Sequence, residues 1–183
     1  MRLNGMIRLA VDSVLGSLDA MPLQLRFVFA ALANAVAAKF PDKPGAPLIA
    51  VSGFLFLRFF CPAVMGPKVF GLADAHPGRP TARGLVLIAK TLQCLANLVR
   101  FGDKEKCMSH LNPLVDEYDG PMRAFLAAAA TVPSVGDGSS PTLAQAENFY
   151  APHESALGKD ALEYQAALVH KELAGVLRSL EPD

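Results

Sequence analysis

The chain has no tryptophan, only three cysteines in 183 residues and no excess of either charge, because seventeen basic residues balance seventeen acidic ones. Balanced charge leaves no whole-chain argument for nucleic acid or a membrane surface as a partner. Cys61, Cys94 and Cys107 form no Cys-x-x-Cys pair, and the N-terminus lacks the basic, apolar and small-residue order of a signal peptide. We therefore expect a cytoplasmic protein that binds no nucleic acid.

Long hydrophobic runs are also missing. The most apolar stretch, residues 48–61, is 14 residues long and contains Arg58, whereas a membrane span requires about 20 residues. With 52% hydrophobic residues overall, the chain can bury a core of its own. We expect a single domain over residues 1–183, with 48–61 in a buried helix and no direct insertion into a membrane.

Motifs for nucleotide, metal or acyl chemistry are absent as well. The sequence contains no Gly-x-x-x-x-Gly-Lys loop, His-Glu-x-x-His pair, Gly-x-Ser-x-Gly elbow or dinucleotide glycine fingerprint. The four histidines are scattered and lack the spacing of metal ligands. We predict no metal, no cofactor and no catalytic residue, and an enzyme with its own chemistry has little support.

Helical periodicity is present, and it predicts an all-α helical bundle. No period-two pattern or internal repeat occurs. The apolar run 48–60 is too long for a typical strand of about five or six residues. The predicted elements are helices at 6–18, 25–36, 48–60, 82–101, 104–118 and 121–130, a turn at 61–67, a flexible loop at about 131–141 and a closing helix at about 155–180.

Charge is unevenly distributed along the chain. Residues 1–110 hold 13 Lys or Arg and 6 Asp or Glu, a net charge of +7, whereas residues 111–183 carry −7. The first part suits an acidic partner, although a solvated charged face would give the same imbalance.

A narrower polar pattern lies on the helix predicted at 82–101. Five polar residues follow one another at steps of three and four, which places them on one stripe if the helix is continuous. Gly102 suits a helix C-cap and Asp103 an N-cap, which would leave the last of the five just beyond the stripe. The five are Lys90, Gln93, Asn97, Arg100 and Lys104.

Arg58 is the most unusual residue, because it interrupts an apolar run. A buried guanidinium needs partners for its donors. The structural interpretation is an arginine whose stem packs along apolar neighbours while its head reaches water or a helix end. The functional interpretation depends on a resemblance.

The string FLFLRFFCPA at 54–63 resembles the Phe-Leu-Arg…Pro-Ala signature of Ras GTPase-activating domains. Further strings match in the expected order, giving a signature region of 53–105 and a resemblance over about 6–130. The resemblance implies an all-α bundle of that family's type. The further strings are MPLQLR at 21–26, KFP at 39–41, FGL at 70–72, ARGL at 82–85, LIAK at 87–90, LQCLAN at 92–97 and FGDKE at 101–105.

The resemblance implies a protein that binds a Ras-type small GTPase in its GTP form and promotes GTP hydrolysis, which down-regulates Ras signalling. Members insert an arginine finger that stabilises transition-state charge. In the family this finger lies on a loop well before the signature, so we expect the N-terminal part of the domain to be incomplete here. Arg2, Arg8 and Arg26 are the only arginines before the signature, and none matches the finger.

The resemblance also implies roles for individual residues. Arg58 matches the second arginine of the family, which supports the finger loop through hydrogen bonds to its backbone. Leu57 matches an apolar residue that contacts the GTPase, and Lys90, Asn97 and Lys104 match polar positions of the GTPase-binding groove. Core packing for Leu57, a helix end for Asn97 and solvated charge for the lysines remain the structural alternatives.

Cys94 departs from the asparagine that usually precedes Leu-Ala-Asn in the family, which puts a polar contact there in question.

Two other functions stay open. One is a finger-less module that binds a small GTPase without stimulating hydrolysis, and the other is a helical scaffold that has lost GTPase binding. Recruitment to a membrane would fall to other domains.

Overall fold

The computed structural model describes residues 3–132, which form helices and connecting turns without a β-strand. Helix α1 spans Leu3–Gly16 and α2 spans Leu23–Lys39, with a short 3-10 turn at Leu18–Ala20 between them. The 3-10 turn ends just before Pro22, whose fixed φ suits the entry into α2. The all-α prediction is confirmed.

The most apolar part of the chain forms one helix with a widened turn. Helix α3 (Ala46–Leu55) passes through a π-helical turn at Phe56–Phe60 into α4 (Cys61–Met65), and we call the whole of Ala46–Met65 the signature helix. The N–H of Cys61 donates to the carbonyl oxygen of Phe56, five residues back instead of four. Burial follows the same change of period: Leu55 and Phe60, and likewise Phe56 and Cys61, are buried pairs five residues apart.

The turn predicted at 61–67 is wrong in its first part, because the helix continues through Pro62 to Met65. Proline in a regular α-helix lacks an N–H, and its ring meets the carbonyl group four residues earlier. The wide turn directly before Pro62 relaxes that spacing, and Ala63 and Val64 beyond it lie in the core. By length and composition alone the resulting 20-residue helix could cross a membrane, but 44% of its most apolar window is buried inside the protein.

Helix α5 (Arg79–Ala96) packs against α1, α4 and α6, so the core lies between these helices and the wide turn. Its apolar face follows the predicted spacing through Leu85, Ile88, Leu92 and Leu95, all buried. Helix α5 starts three residues before the predicted boundary and ends at Ala96 instead of 101.

A 3-10 segment at Asp103–Leu111 leads into α6 (Asn112–Ala129). The prediction of two helices, 104–118 and 121–130, is wrong, because α6 continues through Pro121. Tyr118 and Met122, on either side of this proline, are both buried, so packing along one face offsets the local cost of the proline.

The predicted loop at about 131–141 begins within the described residues, since 131 and 132 are not helical. The remainder of that loop and the closing helix predicted at about 155–180 lie outside the described residues.

Candidate functional site

The wide turn places one apolar and one basic side chain on the surface. Leu57 is 41% exposed, although Phe56 beside it is fully buried. Arg58 is exposed; its Nη1 donates to the carbonyl oxygen of Gly53 at 3.1 Å, and its guanidinium lies 5.1 Å from the ring centroid of Phe54. This placement agrees with the structural interpretation, an arginine that packs along an apolar neighbour while its head reaches water. Within residues 3–132 no other hydrogen bond engages its guanidinium, which has five N–H donors.

Helix α5 is joined to the signature helix at a buried point. The thiol of Cys61 donates to the carbonyl oxygen of Ala89 at 3.5 Å. Burial raises the pKa of Cys61 to about 11, so the group remains a protonated donor at neutral pH. Leu57 precedes Cys61 by about one helical turn and Lys90 directly follows Ala89, so the two surface residues come from neighbouring positions on packed helices.

The outer face of α5 carries a stripe of exposed and half-buried side chains. The predicted stripe holds from Lys90 to Asn97, but Arg100 and Lys104 lie beyond the end of the helix. The stripe extends instead toward the start of α5, which the sequence analysis missed, although the same spacing of three and four residues continues upstream. Its members are Arg83, Val86, Lys90, Gln93 and Asn97.

Lys90 and Lys104 present available charge. Both are exposed, and neither ammonium group forms an ion pair or hydrogen bond with another residue of 3–132. Lys104 lies in the 3-10 segment near Glu105, where the backbone leaves helical geometry with φ −120° and ψ 45°. Loop 97–102 joins Asn97, the last residue of the stripe, to the segment that carries Lys104.

Loop 97–102 starts in a strained conformation. Leu98 has a φ of 57°, a left-handed conformation that costs a residue other than glycine about 1–2 kcal/mol. The N–H of Val99 donates to the carbonyl oxygen of Cys94 at 3.3 Å, and the N–H of Leu98 donates to that of Leu95 at 2.9 Å. These two bonds form a Schellman motif. The predicted C-cap at Gly102 is wrong, because Gly102 directly precedes the 3-10 segment.

Cys94 supports this loop from the helix side. The residue is 8% exposed, and its thiol donates to the carbonyl oxygen of Val99 at 2.9 Å. Burial, and secondarily the negative charge of Glu105, raises the pKa of Cys94 to about 11, which keeps the thiol a neutral donor. The cysteine therefore makes a polar contact within the chain at the position where the sequence departs from the family pattern.

Helix α6 supports the loop from the other side. Oδ1 of Asn112 accepts a hydrogen bond from the N–H of Phe101 at 2.9 Å, and its Nδ2 donates to the carbonyl oxygen of Phe101 at 3.1 Å. One turn along α6, Asp116 accepts two hydrogen bonds from Arg100 at 2.6 and 2.5 Å. The sequence analysis missed Asn112. The Asn-Pro pair at 112–113 indicates a boundary between elements, but it does not predict that the Asn112 side chain binds Phe101.

The two described arginines before the signature are engaged within the fold. Arg8 forms two hydrogen bonds with Glu117, at 2.5 and 2.7 Å, and lies 5.8 Å from the ring centroid of Tyr118. Arg26 is half-buried in α2 and donates to the carbonyl oxygen of Leu18. Both lie on helices, and neither guanidinium extends from a loop.

The candidate surface combines an apolar contact, an amide and several cations, a set that suits an acidic protein partner. It comprises Leu57, Arg58, Lys90, Asn97 and Lys104. Among residues 3–132 no group of three or more His, Cys, Asp or Glu side chains could hold a metal ion.

Comparisons with known proteins agree with the resemblance. A sequence profile of the family described as GTPase-activator protein for Ras-like GTPase matches residues 1–97. A probable Ras GTPase-activating-like protein, ngap, of Dictyostelium discoideum is 43% identical over 129 residues, 70% of this chain and 15% of that protein. Human Ras GTPase-activating protein 1 is 36% identical over 127 residues, 69% of this chain and 12% of that protein. The bovine RAS protein activator like-3 is 33% identical over 180 residues, 98% of this chain and 16% of that protein.

Proposed function

Because this chain belongs to the Ras GTPase-activating protein family, we propose that it binds a Ras-type small GTPase in its GTP form through Leu57, Lys90, Asn97 and Lys104. In its complete form the protein promotes GTP hydrolysis by that GTPase and so down-regulates Ras signalling. The chain spans about a seventh of the length of the relatives it matches. A cytoplasmic location, with recruitment to membranes by other domains, fits three free thiols.

The observation that carries this proposal is the exposure of Leu57 within the most apolar helix of the chain. Leu57 is 41% exposed although Phe56 beside it is fully buried, and on the same helix Ile49, Phe54 and Met65 are also exposed. Lys90 follows Ala89, which accepts a hydrogen bond from Cys61 of the signature helix, and the Lys90 ammonium forms no ion pair within residues 3–132. An exposed leucine beside an available cation suits a partner surface with an apolar contact and acidic rim.

Arg58 has a separate proposed role. Its guanidinium uses one donor on the carbonyl oxygen of Gly53, and the planar group can donate to further carbonyl oxygens. We assign it to the support of a finger loop. Of the arginines before the signature, Arg8 and Arg26 are engaged within the fold, and Arg2 lies outside the described residues. An arginine finger supplies about 10³ to 10⁵ in rate, so the engagement of these two favours binding without acceleration.

The test measures binding and hydrolysis separately. A panel of Ras-type GTPases carrying a non-hydrolysable GTP analogue is titrated with the wild-type chain, Lys90→Glu and Lys43→Glu. The last variant makes the same charge change in the exposed loop after α2. We expect Lys90→Glu to weaken binding at least about tenfold and Lys43→Glu to have little effect, with wild-type affinity falling as salt rises.

Single-turnover GTP hydrolysis with the chain in excess supplies the second measurement. Binding without acceleration would support the proposal that this chain binds the GTPase but does not itself supply the arginine finger. Acceleration would show that an arginine of this chain reaches the phosphate and would refute that part. If no GTPase binds, the remaining function is that of a helical scaffold, and the proposed binding surface is wrong.

A further inference from the structure

Loop 97–102 is held by hydrogen bonds from both neighbouring helices. Its backbone is bonded to Cys94 and Leu95 on α5 and to Asn112 on α6, and its only exposed cation, Arg100, is paired with Asp116. A left-handed leucine persists only where its surroundings fix it. The loop therefore has one conformation imposed by both helices.

This conformation determines how two parts of the candidate surface are placed relative to each other. Asn97 is the last residue before Leu98, at the C-terminal end of α5. Lys104 is the second residue of the 3-10 segment that starts directly after Gly102. The backbone of loop 97–102 connects them along the chain, so its geometry, together with the packing of the 3-10 segment on α6, sets their separation and relative orientation.

From these contacts we infer that Asn112 is a positioning residue for the GTPase-binding surface, an inference that rests on the proposed function. Its amide pairs with both backbone groups of Phe101, as a neighbouring strand would. Asn112 lies in the first turn of α6, and α6 contacts α1 through hydrogen bonds of Arg8 with Glu117 and of Tyr118 with Asp12. Asn112 thereby holds the loop backbone against α6, and this role needs no contact between Asn112 and the GTPase.

Two substitutions at position 112 separate positioning from stability. Asn112→Ala removes both hydrogen bonds to Phe101. Asn112→Asp keeps an oxygen that can accept from the N–H of Phe101 but loses the donor to its carbonyl oxygen, while a carboxylate in the first turn of α6 interacts favourably with the helix dipole. Asp116, one turn along α6, repels that carboxylate and offsets part of this gain. We expect Asn112→Asp to unfold within a few degrees of the wild-type temperature and to bind the GTPase more weakly.

For Asn112→Ala we expect an affinity for the GTPase up to about tenfold below wild type, because binding must then order a loop that the two lost hydrogen bonds no longer hold in the free chain. A double-mutant cycle with Lys104→Ala gives the decisive readout. If Asn112 acts by placing Lys104, then Asn112→Ala weakens binding much less when Lys104 is already alanine. Asp119→Ala is the control, because it removes the exposed pair with Arg123 elsewhere on α6 and should not change affinity.

Hydrogen exchange of the free chain completes the experiment. The Phe101 amide should exchange faster in Asn112→Ala than in wild type, and amides of α1 should be unaffected. Affinity within twofold of wild type in Asn112→Ala, or equal losses with and without Lys104, would overturn this inference alone. Absence of binding by the wild-type chain would overturn the proposed function and, with it, the positioning role.

Discussion

Separate alanine substitutions at Phe56 and Leu57 distinguish the stability of the fold from the proposed binding of a GTPase. The Phe56 side chain is fully buried, with its ring centroid 5.3 Å from that of Phe60 and 6.2 Å from that of Phe125. Phe→Ala at such a site costs about 3–5 kcal/mol, because transfer energy is lost and a cavity remains. That is a large part of the roughly 5–15 kcal/mol by which a domain is stable.

For Leu57 the expected loss of stability is much smaller, about 1 kcal/mol or less, because 41% of the residue is already exposed. At about 2–4 °C per kcal/mol for a chain of this size, Phe56→Ala should lower Tm by roughly 10 °C and Leu57→Ala by a few degrees at most. Leu57→Ala should nevertheless weaken GTPase binding, since it removes the apolar contact.

The assay is thermal unfolding followed by circular dichroism at 222 nm, with affinity measured on the same preparations. If Phe56→Ala does not fold, Phe56→Leu, expected to cost about 1 kcal/mol, keeps most of the buried volume and still tests the ring contacts. A loss of stability in Leu57→Ala as large as that in Phe56→Ala would refute the assignment of Leu57 to the surface.

Two further predictions concern ionisation. The hydrogen bonds from Arg8 lower the pKa of Glu117, so the stability from this pair is complete above the ordinary carboxyl pKa of about 4.3 and is lost as the pH falls through the lowered value. Glu117→Gln should thus lower Tm slightly at pH 7 and low salt, with a deficit that shrinks below about pH 4; a constant deficit would contradict the pairing. Burial raises the pKa of Cys61 and Cys94 to about 11 each, whereas Cys107 is exposed. A maleimide at pH 7.5 should therefore label one thiol of the wild-type chain rapidly, and the Cys107→Ser variant should show no rapidly labelled thiol.

The sequence was sufficient to predict most helices of residues 3–132, because burial at helical spacing is a local pattern. Leu85, Ile88, Leu92 and Leu95 face the core as that pattern requires. Boundaries placed at prolines were wrong at Pro62 and Pro121 for different reasons. A wide turn accommodates Pro62, whereas burial on both sides keeps α6 continuous at Pro121, and neither effect is visible in local propensity.

The candidate surface was predicted in part. Lys90 and Asn97 lie on the outer face of α5 as their spacing indicated. The end of α5 could not be predicted, since Leu98 has no intrinsic preference for a left-handed conformation and is held there by Cys94 and by contacts from α6. Asn112 was missed because it binds the backbone of Phe101, eleven residues away. Since nearly every residue has the same backbone N–H and C=O groups, no sequence pattern indicates which of them Asn112 binds.

The wide turn at Phe56–Phe60 also determines which changes of chain length the signature helix can accept. A π turn contains one residue more than an α turn, so the core-facing sides of α3 and α4 remain aligned despite this extra residue. Deleting one residue within the turn would restore a regular helix and leave both apolar faces directed at the core, but Pro62 would then meet the carbonyl group four residues before it. Deletion in this turn and replacement of that proline should therefore occur together among related chains.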